Sequence, residues 1–172
     1  MKPVEKYSLI TLPAWYPFGE CKRRLVRDGH PTWTVVDGED IAAQFLCNGF
    51  TVLVTNHDYF DGVSNWFHLI DDEGKIRDIV ATPDYFGFLQ CVENPAELEL
   101  NFGFYGTNDK WSLRVHEKPI WSLRIEELRS RANRFLFSRR RLMLTCTKGE
   151  PWIFQPAQPE AAAQDIALQR RR

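Results

Sequence analysis

The chain has few of the features that usually announce a function. No apolar run in its 172 residues approaches the ~20 needed to span a bilayer. Met1-Lys2-Pro3-Val4-Glu5-Lys6 has no apolar signal-peptide core behind it, so the expectation is a cytoplasmic protein with no membrane contact. The four cysteines, Cys21, Cys47, Cys91 and Cys146, lie 26, 44 and 55 residues apart. No CxxC pair exists and no Cys has a His at zinc-finger spacing, so neither a metal site nor a disulfide framework is expected. Three of them sit in apolar surroundings and read as buried free thiols. A Gly-rich phosphate loop, HExxH and GxSxG are all missing. No cofactor is expected, and a binding protein is expected rather than an enzyme.

Hydrophobic residues make up 44% of the chain and aromatics 13%, values that exclude a mostly disordered protein. The formal charge of −1 conceals an asymmetry. Residues 1–36 carry +3, residues 37–109 carry −12 and residues 110–172 carry +8. Such blocks either form surface fields of opposite sign or fold against one another and interleave.

Two stretches read as helix. Asp37-Gly38-Glu39-Asp40 supplies an acidic start for Ile41 to Asn48. Ile41 and Phe45 are one turn apart, and Gly49 stands where a left-handed terminal residue would end the helix. The second stretch runs from about Ser122 to Arg141, with the stripe Ile125, Leu128, Ala132 and Phe135 at helical spacing. The remainder reads as strand. Trp66–Ile70, the turn Asp71-Asp72-Glu73-Gly74 and Lys75–Val80 make one hairpin signal. Leu98, Leu100, Phe102 and Phe104, the turn at 106–109, and Trp111, Leu113 and Val115 make a second. Further strands are expected at 50–55, 85–92 and 142–146, the last pairing with Trp152-Ile153-Phe154. The expectation is therefore an α+β fold, an antiparallel sheet of hairpins with two main helices in a single domain over 1–155. Residues 156–172, Pro, Gln, Ala and Arg without an apolar face, read as a flexible C-terminal tail.

Three groups of residues carry chemistry. His57, Asp58 and Asp61 present an imidazole and two carboxylates in Asn56-His57-Asp58-Tyr59-Phe60-Asp61-Gly62, although turn chemistry alone accounts for those residue types. Arg124, Arg129, Arg131, Arg134, Arg139, Arg140 and Arg141 fall within eighteen residues and offer bidentate phosphate contacts. On a helix they would spread round the polar surface, and near-neutrality offers every Arg an acidic partner. Direct nucleic-acid binding is therefore not the first expectation. The third group is the acidic middle with its aromatics: Asp58, Tyr59, Asp61, Trp66, Asp71, Asp72, Glu73, Asp84 and Tyr85. Carboxylates beside Tyr and Trp are what a binder of a basic protein uses, the aromatics as hot spots and the acids for steering.

With acidic loops, hairpins rich in Trp and no catalytic motif, the chain resembles bacterial toxin-immunity proteins of the contact-dependent growth inhibition type. The resemblance rests on Asn65-Trp66-Phe67-His68-Leu69-Ile70-Asp71-Asp72-Glu73-Gly74 and on Phe102-Gly103-Phe104-Tyr105-Gly106-Thr107-Asn108-Asp109-Lys110-Trp111. It implies a stoichiometric inhibitor of a cognate toxin domain, often a nuclease, bound through the acidic surface. The alternatives are a nucleic-acid-associated module using residues 122–141, and a small hydrolytic enzyme around His57.

Overall fold

The computed structural model describes residues 1–13, 21–59, 62–82, 89–93, 96–123 and 137–149. Twelve strands occur among them: β1 (Lys2–Pro3), β2 (Tyr7–Thr11), β3 (Lys22–Arg27), β4 (His30–Asp37), β5 (Asp40–Cys47), β6 (Phe50–Tyr59), β7 (Gly62–Ile70), β8 (Ile76–Ala81), β9 (Leu89–Glu93), β10 (Glu99–Phe104), β11 (Lys110–Leu123) and β12 (Phe137–Thr147). All pair antiparallel, in a five-stranded sheet β1-β5-β6-β7-β8, a four-stranded sheet β12-β11-β10-β9 and a three-stranded sheet β2-β3-β4.

The five-stranded sheet is the middle layer. On one face Phe45, Val52, Val54, Phe67, Leu69 and Val80 pack against Leu100, Phe102, Trp111, Leu113 and Leu142 of the four-stranded sheet. On the other, Leu53 and Ile70 pack against Tyr7, Leu25 and Val36 of the three-stranded sheet. Successive residues of β6 and β7 point to opposite faces, and both faces are covered. Thr51–Thr55 and Phe67–Ile70 are therefore buried without interruption.

The fold is all-β in its described part, which corrects the expected α+β class. Residues 40–47, expected as helix, are β5. Ala43, Phe45 and Cys47 face the four-stranded sheet, and Gln44 faces the other way. A bulge between Ile41 and Ala43 turns Ile41 to the Gln44 side, so Ile41 and Phe45, four residues apart, face different layers rather than sharing one face. The glycine expected to cap that helix belongs to a hairpin turn. Asn48 and Gly49 both have positive φ, +46° and +77°, between the paired Cys47 and Phe50. Asn-Gly is the preferred pair for such two-residue turns. Asp28-Gly29 makes the same turn between Arg27 and His30.

The second expected helix is corrected at both ends. Ser122 and Leu123 close β11, and residues 137–141 open β12. Its stripe, Ile125 to Phe135, lies outside the described residues, as do Trp152–Phe154 and the tail 156–172. Both expected hairpins are present, as β7–β8 and β10–β11. Residues 142–146 form a strand as expected, and it pairs with β11.

The charge blocks interleave. Lys6–Asp72, Lys22–Asp37 and Arg23–Glu39 join the basic N-terminal block to the acidic middle. Arg114–Glu99, Arg140–Asp78 and Lys148–Asp109 join the middle to the basic C-terminal block.

Candidate partner-binding surface

The structure divides the acidic, aromatic set between the two ends of the β6–β7 hairpin. Asp71, Asp72 and Glu73 follow Ile70, which pairs with Thr51; Asp58 and Tyr59 lie at the other end, where Tyr59 pairs with Gly62. Eight residues of ladder separate these ends, or ~27 Å. Trp66 lies between them, half-buried and opposite Thr55 and Ala81. Asp61, Asp84 and Tyr85 lie outside the described residues.

The 71–74 turn is tied down rather than presented. Asp71 accepts from the Lys75 amide at 2.8 Å and pairs with Arg77. Partial desolvation raises the Asp71 pKa, but those bonds outweigh it and hold the carboxyl below its usual range. Asp72 meets Lys6, Glu73 meets Lys75, and the Asp72 and Gly74 carbonyls accept from Arg27 and Thr34 of the three-stranded sheet. Local cations offset much of the field these acids would project.

The other end holds a denser polar group. The chain leaves β4 at Asp37 and enters β5 at Asp40 through Gly38 and Glu39, crossing from one layer to the next. Gly38 has φ +103°, and a Cβ there would stand 2.6 Å from Thr55 Cβ, so only glycine fits this corner. The Asp37 carbonyl accepts from the Thr55 hydroxyl, and His68 Nε2 lies 3.0 Å from Thr55 Oγ1 and 3.2 Å from that carbonyl. With the hydroxyl proton committed to Asp37, the network assigns the imidazole proton to Nε2. His68 Nδ1 is buried without a partner among the described residues. Burial pushes His68 down to about 4, against the opposing pull of Asp37, and nearby Lys22 adds to the depression. His68 is a neutral structural histidine.

Glu39 pairs with Arg23 and lies 2.9 Å from His57 Nδ1, and the His57 ring meets Tyr59 edge-on at 4.3 Å. Desolvation raises Glu39, yet Arg23 and His57 together bring it below the ordinary carboxylate range. His57 is paired with Glu39 among the described residues, and Asp61, the third member of the grouping suggested by the sequence, lies outside them. Among the described residues no group of three or more His, Cys, Asp or Glu is placed to hold a metal, and no helix is long and apolar enough to cross a membrane.

Beside this corner a groove of about 810 Å³ separates β2 from β5, with Tyr7 and Leu9 on one wall and Ile41, Ala42 and Ala43 on the other. Both walls are sheet edges. β1 covers only Phe45 and Leu46 of β5, and Val4 N–H reaches the Gln44 carbonyl at 3.1 Å. The Gln44 side chain then stands in for a missing strand. Its Oε1 accepts from Tyr7 N–H at 2.9 Å and its Nε2 donates to the Tyr7 carbonyl at 2.8 Å. Tyr7 therefore turns its backbone groups outward, and Leu9 and Thr11, at the same phase of the pleat, turn theirs to the same edge. Glu5, Glu39 and Asp40 rim the groove, and Asp58 and Tyr59 sit at the same end of the central sheet. Sequence reasoning missed Glu5, Glu39 and Asp40 because the latter two were assigned to a helix start.

Trp33 was also missed. Residues 32–34 bulge opposite Leu25, held by Thr32 Oγ1 to the Leu25 carbonyl at 2.8 Å, and Trp33 is left 94% exposed near Arg24. No protein-family model, curated protein or solved structure matches the chain.

Proposed function

We propose that the chain neutralises a cognate toxin domain by binding it stoichiometrically, as the resemblance implies, and that a basic segment of that domain docks along the groove between β2 and β5. The observation that carries this reading is two open strand edges facing each other beneath an acidic rim, where Glu5 and Asp40 stand beside the Arg23-paired Glu39. An open edge offers unpaired backbone N–H and C=O groups to an added strand. The Gln44 carboxamide sets where that strand must stop. Asp58 and Tyr59 supply the acid and aromatic beside it, and the locally neutralised 71–74 turn contributes little.

The test is coexpression with candidate toxin domains drawn from neighbouring open reading frames. Protection of the host and a one-to-one complex are the expected results. Glu5→Lys with Asp40→Lys should slow association at low salt, with the deficit shrinking as salt rises. Absence of protection overturns the toxin reading. Protection that survives those reversals but is lost with Asp72→Lys and Glu73→Lys would move the interface to the opposite end of the sheet.

A further inference from the structure

β11 and β12 outrun the rest of their sheet. β10 pairs with β11 only as far as Arg114, whereas the β11–β12 ladder resumes after a register break and continues from Ile120–Arg140 to Leu123–Phe137. Strand alternation then sorts the arginines at the start of β12. Arg140 turns inward to the buried carboxylate of Asp78, while Arg139 and Arg141, on either side of it, do not. Arg139 sits over the ring of Trp121 at 5.5 Å, and Arg141 sits over the ring of Phe50 at 5.0 Å. Arg139, Arg141 and Phe50, with Pro119, Arg77 and Asp71, line a cleft of about 440 Å³ between the ribbon and the central sheet, and Trp121 stands beside it under Arg139.

The cleft is cationic on balance. Asp71 is taken by Arg77, and Glu117 gives Arg141 only its backbone carbonyl. Neither Arg139 nor Arg141 has a carboxylate partner among the described residues. The premise that every Arg finds an acid therefore holds for Arg140 and fails for its two neighbours. A guanidinium resting on an aromatic ring keeps most of its five N–H donors for a further acceptor, in the fork geometry that suits phosphate. Trp121 is 70% exposed, so part of a large flat ring is open to solvent beside those donors.

We infer that this cleft binds the backbone of a single-stranded nucleic acid, with Arg139 and Arg141 on phosphates and a base stacked on Trp121. Paired guanidiniums alone would fit any polyanion. The exposed ring beside them favours a strand whose bases are free to stack. This inference goes beyond the toxin-binding reading and stands or falls without it.

The experiment is fluorescence anisotropy of a labelled oligothymidylate titrated with the full chain at salt concentrations from about 50 to 200 mM. Saturable binding is expected, its logarithm falling against log salt with a slope near −0.7 per phosphate neutralised, so about −1.4 for two contacts. Arg139→Ala and Arg141→Ala should each remove about half of that slope. Trp121→Ala should weaken binding roughly 5- to 150-fold, and Trp121→Phe should recover most of it. Arg114→Ala, an exposed arginine outside the cleft, should change nothing. Unchanged circular dichroism and thermal midpoints establish that the variants fold. Absence of saturable binding at the lowest salt overturns the inference, as does a slope indifferent to Arg139 and Arg141. Equal affinity for polyglutamate, with no dependence on Trp121, overturns it in favour of an acidic protein partner.

Discussion

Asp78 of β8 and Arg140 of β12 meet at 2.8 Å in the seam between the central and four-stranded sheets, with side chains 2% and 13% exposed. The second carboxylate oxygen accepts from the backbone N–H groups of Arg141 and Leu142, at 2.7 and 2.8 Å. One side chain thereby closes two strand edges onto each other. Asp78→Ala removes the carboxylate that binds the Arg140 guanidinium and the amides of Ile79, Arg141 and Leu142, and should cost ~3–5 kcal/mol. Asp78→Asn keeps an acceptor oxygen and should cost less. Urea midpoints of the two variants give the comparison, and equal losses would show that the amide bonds contribute nothing.

His68 sets a pH window. Unfolded, its imidazole takes up a proton below about 6.5; folded, it does so only near 4. Between those values the unfolded chain binds more protons, so stability is complete above pH 6.5 and declines as pH falls towards 4. The full loss is about 3 kcal/mol. Glu39 and Asp71, whose carboxyls are depressed, lose their contributions at lower pH, so a fall between pH 6.5 and 5 isolates His68. Denaturant melts at pH 7 and 5 should differ for the native chain and nearly coincide for His68→Phe.

Gly38 and Gly49 both have positive φ but differ in surroundings. A Cβ at Gly38 meets Thr55 Cβ and Oγ1, whereas a Cβ at Gly49 meets nothing within 4 Å. Gly49→Ala should cost only the backbone term, ~1 kcal/mol. Gly38→Ala adds a steric clash at the corner that holds His68 and should cost at least twice as much. Thermal melts that rank the two variants the other way would contradict this account of the corner.

Trp33 should be dispensable for folding. At 94% exposure it contributes almost no burial, so Trp33→Ala should shift stability by no more than ~0.5 kcal/mol. Phe67→Ala, at a fully buried site between two layers, should cost ~3–5 kcal/mol. A large loss at Trp33 would mean that the ring packs in solution.

The hairpins over 66–80 and 98–115 were legible because each pairs a polar turn with flanking apolar runs, and local chemistry decides such turns. Asn48-Gly49 was equally legible as a turn. It was passed over because Ile41 and Phe45 lie four residues apart, a separation that shares one face of a helix, whereas the bulge sets them on opposite faces of the strand. What only the tertiary structure decided is which face each residue of the middle sheet serves. Val52, Leu53 and Val54 are all apolar because different sheets cover the two sides, so alternation leaves no trace in the residue types. The placement of charge was settled at the same level. Asp78 and Arg140 are 62 residues apart and Glu39 and His57 eighteen, and only layer packing brings each pair together. Sequence blocks of opposite sign made such pairs available but left open whether they would form. Strand register determined which ones, and left Arg139 and Arg141 without an acid among the described residues because the pleat turns them away from the one that Arg140 meets.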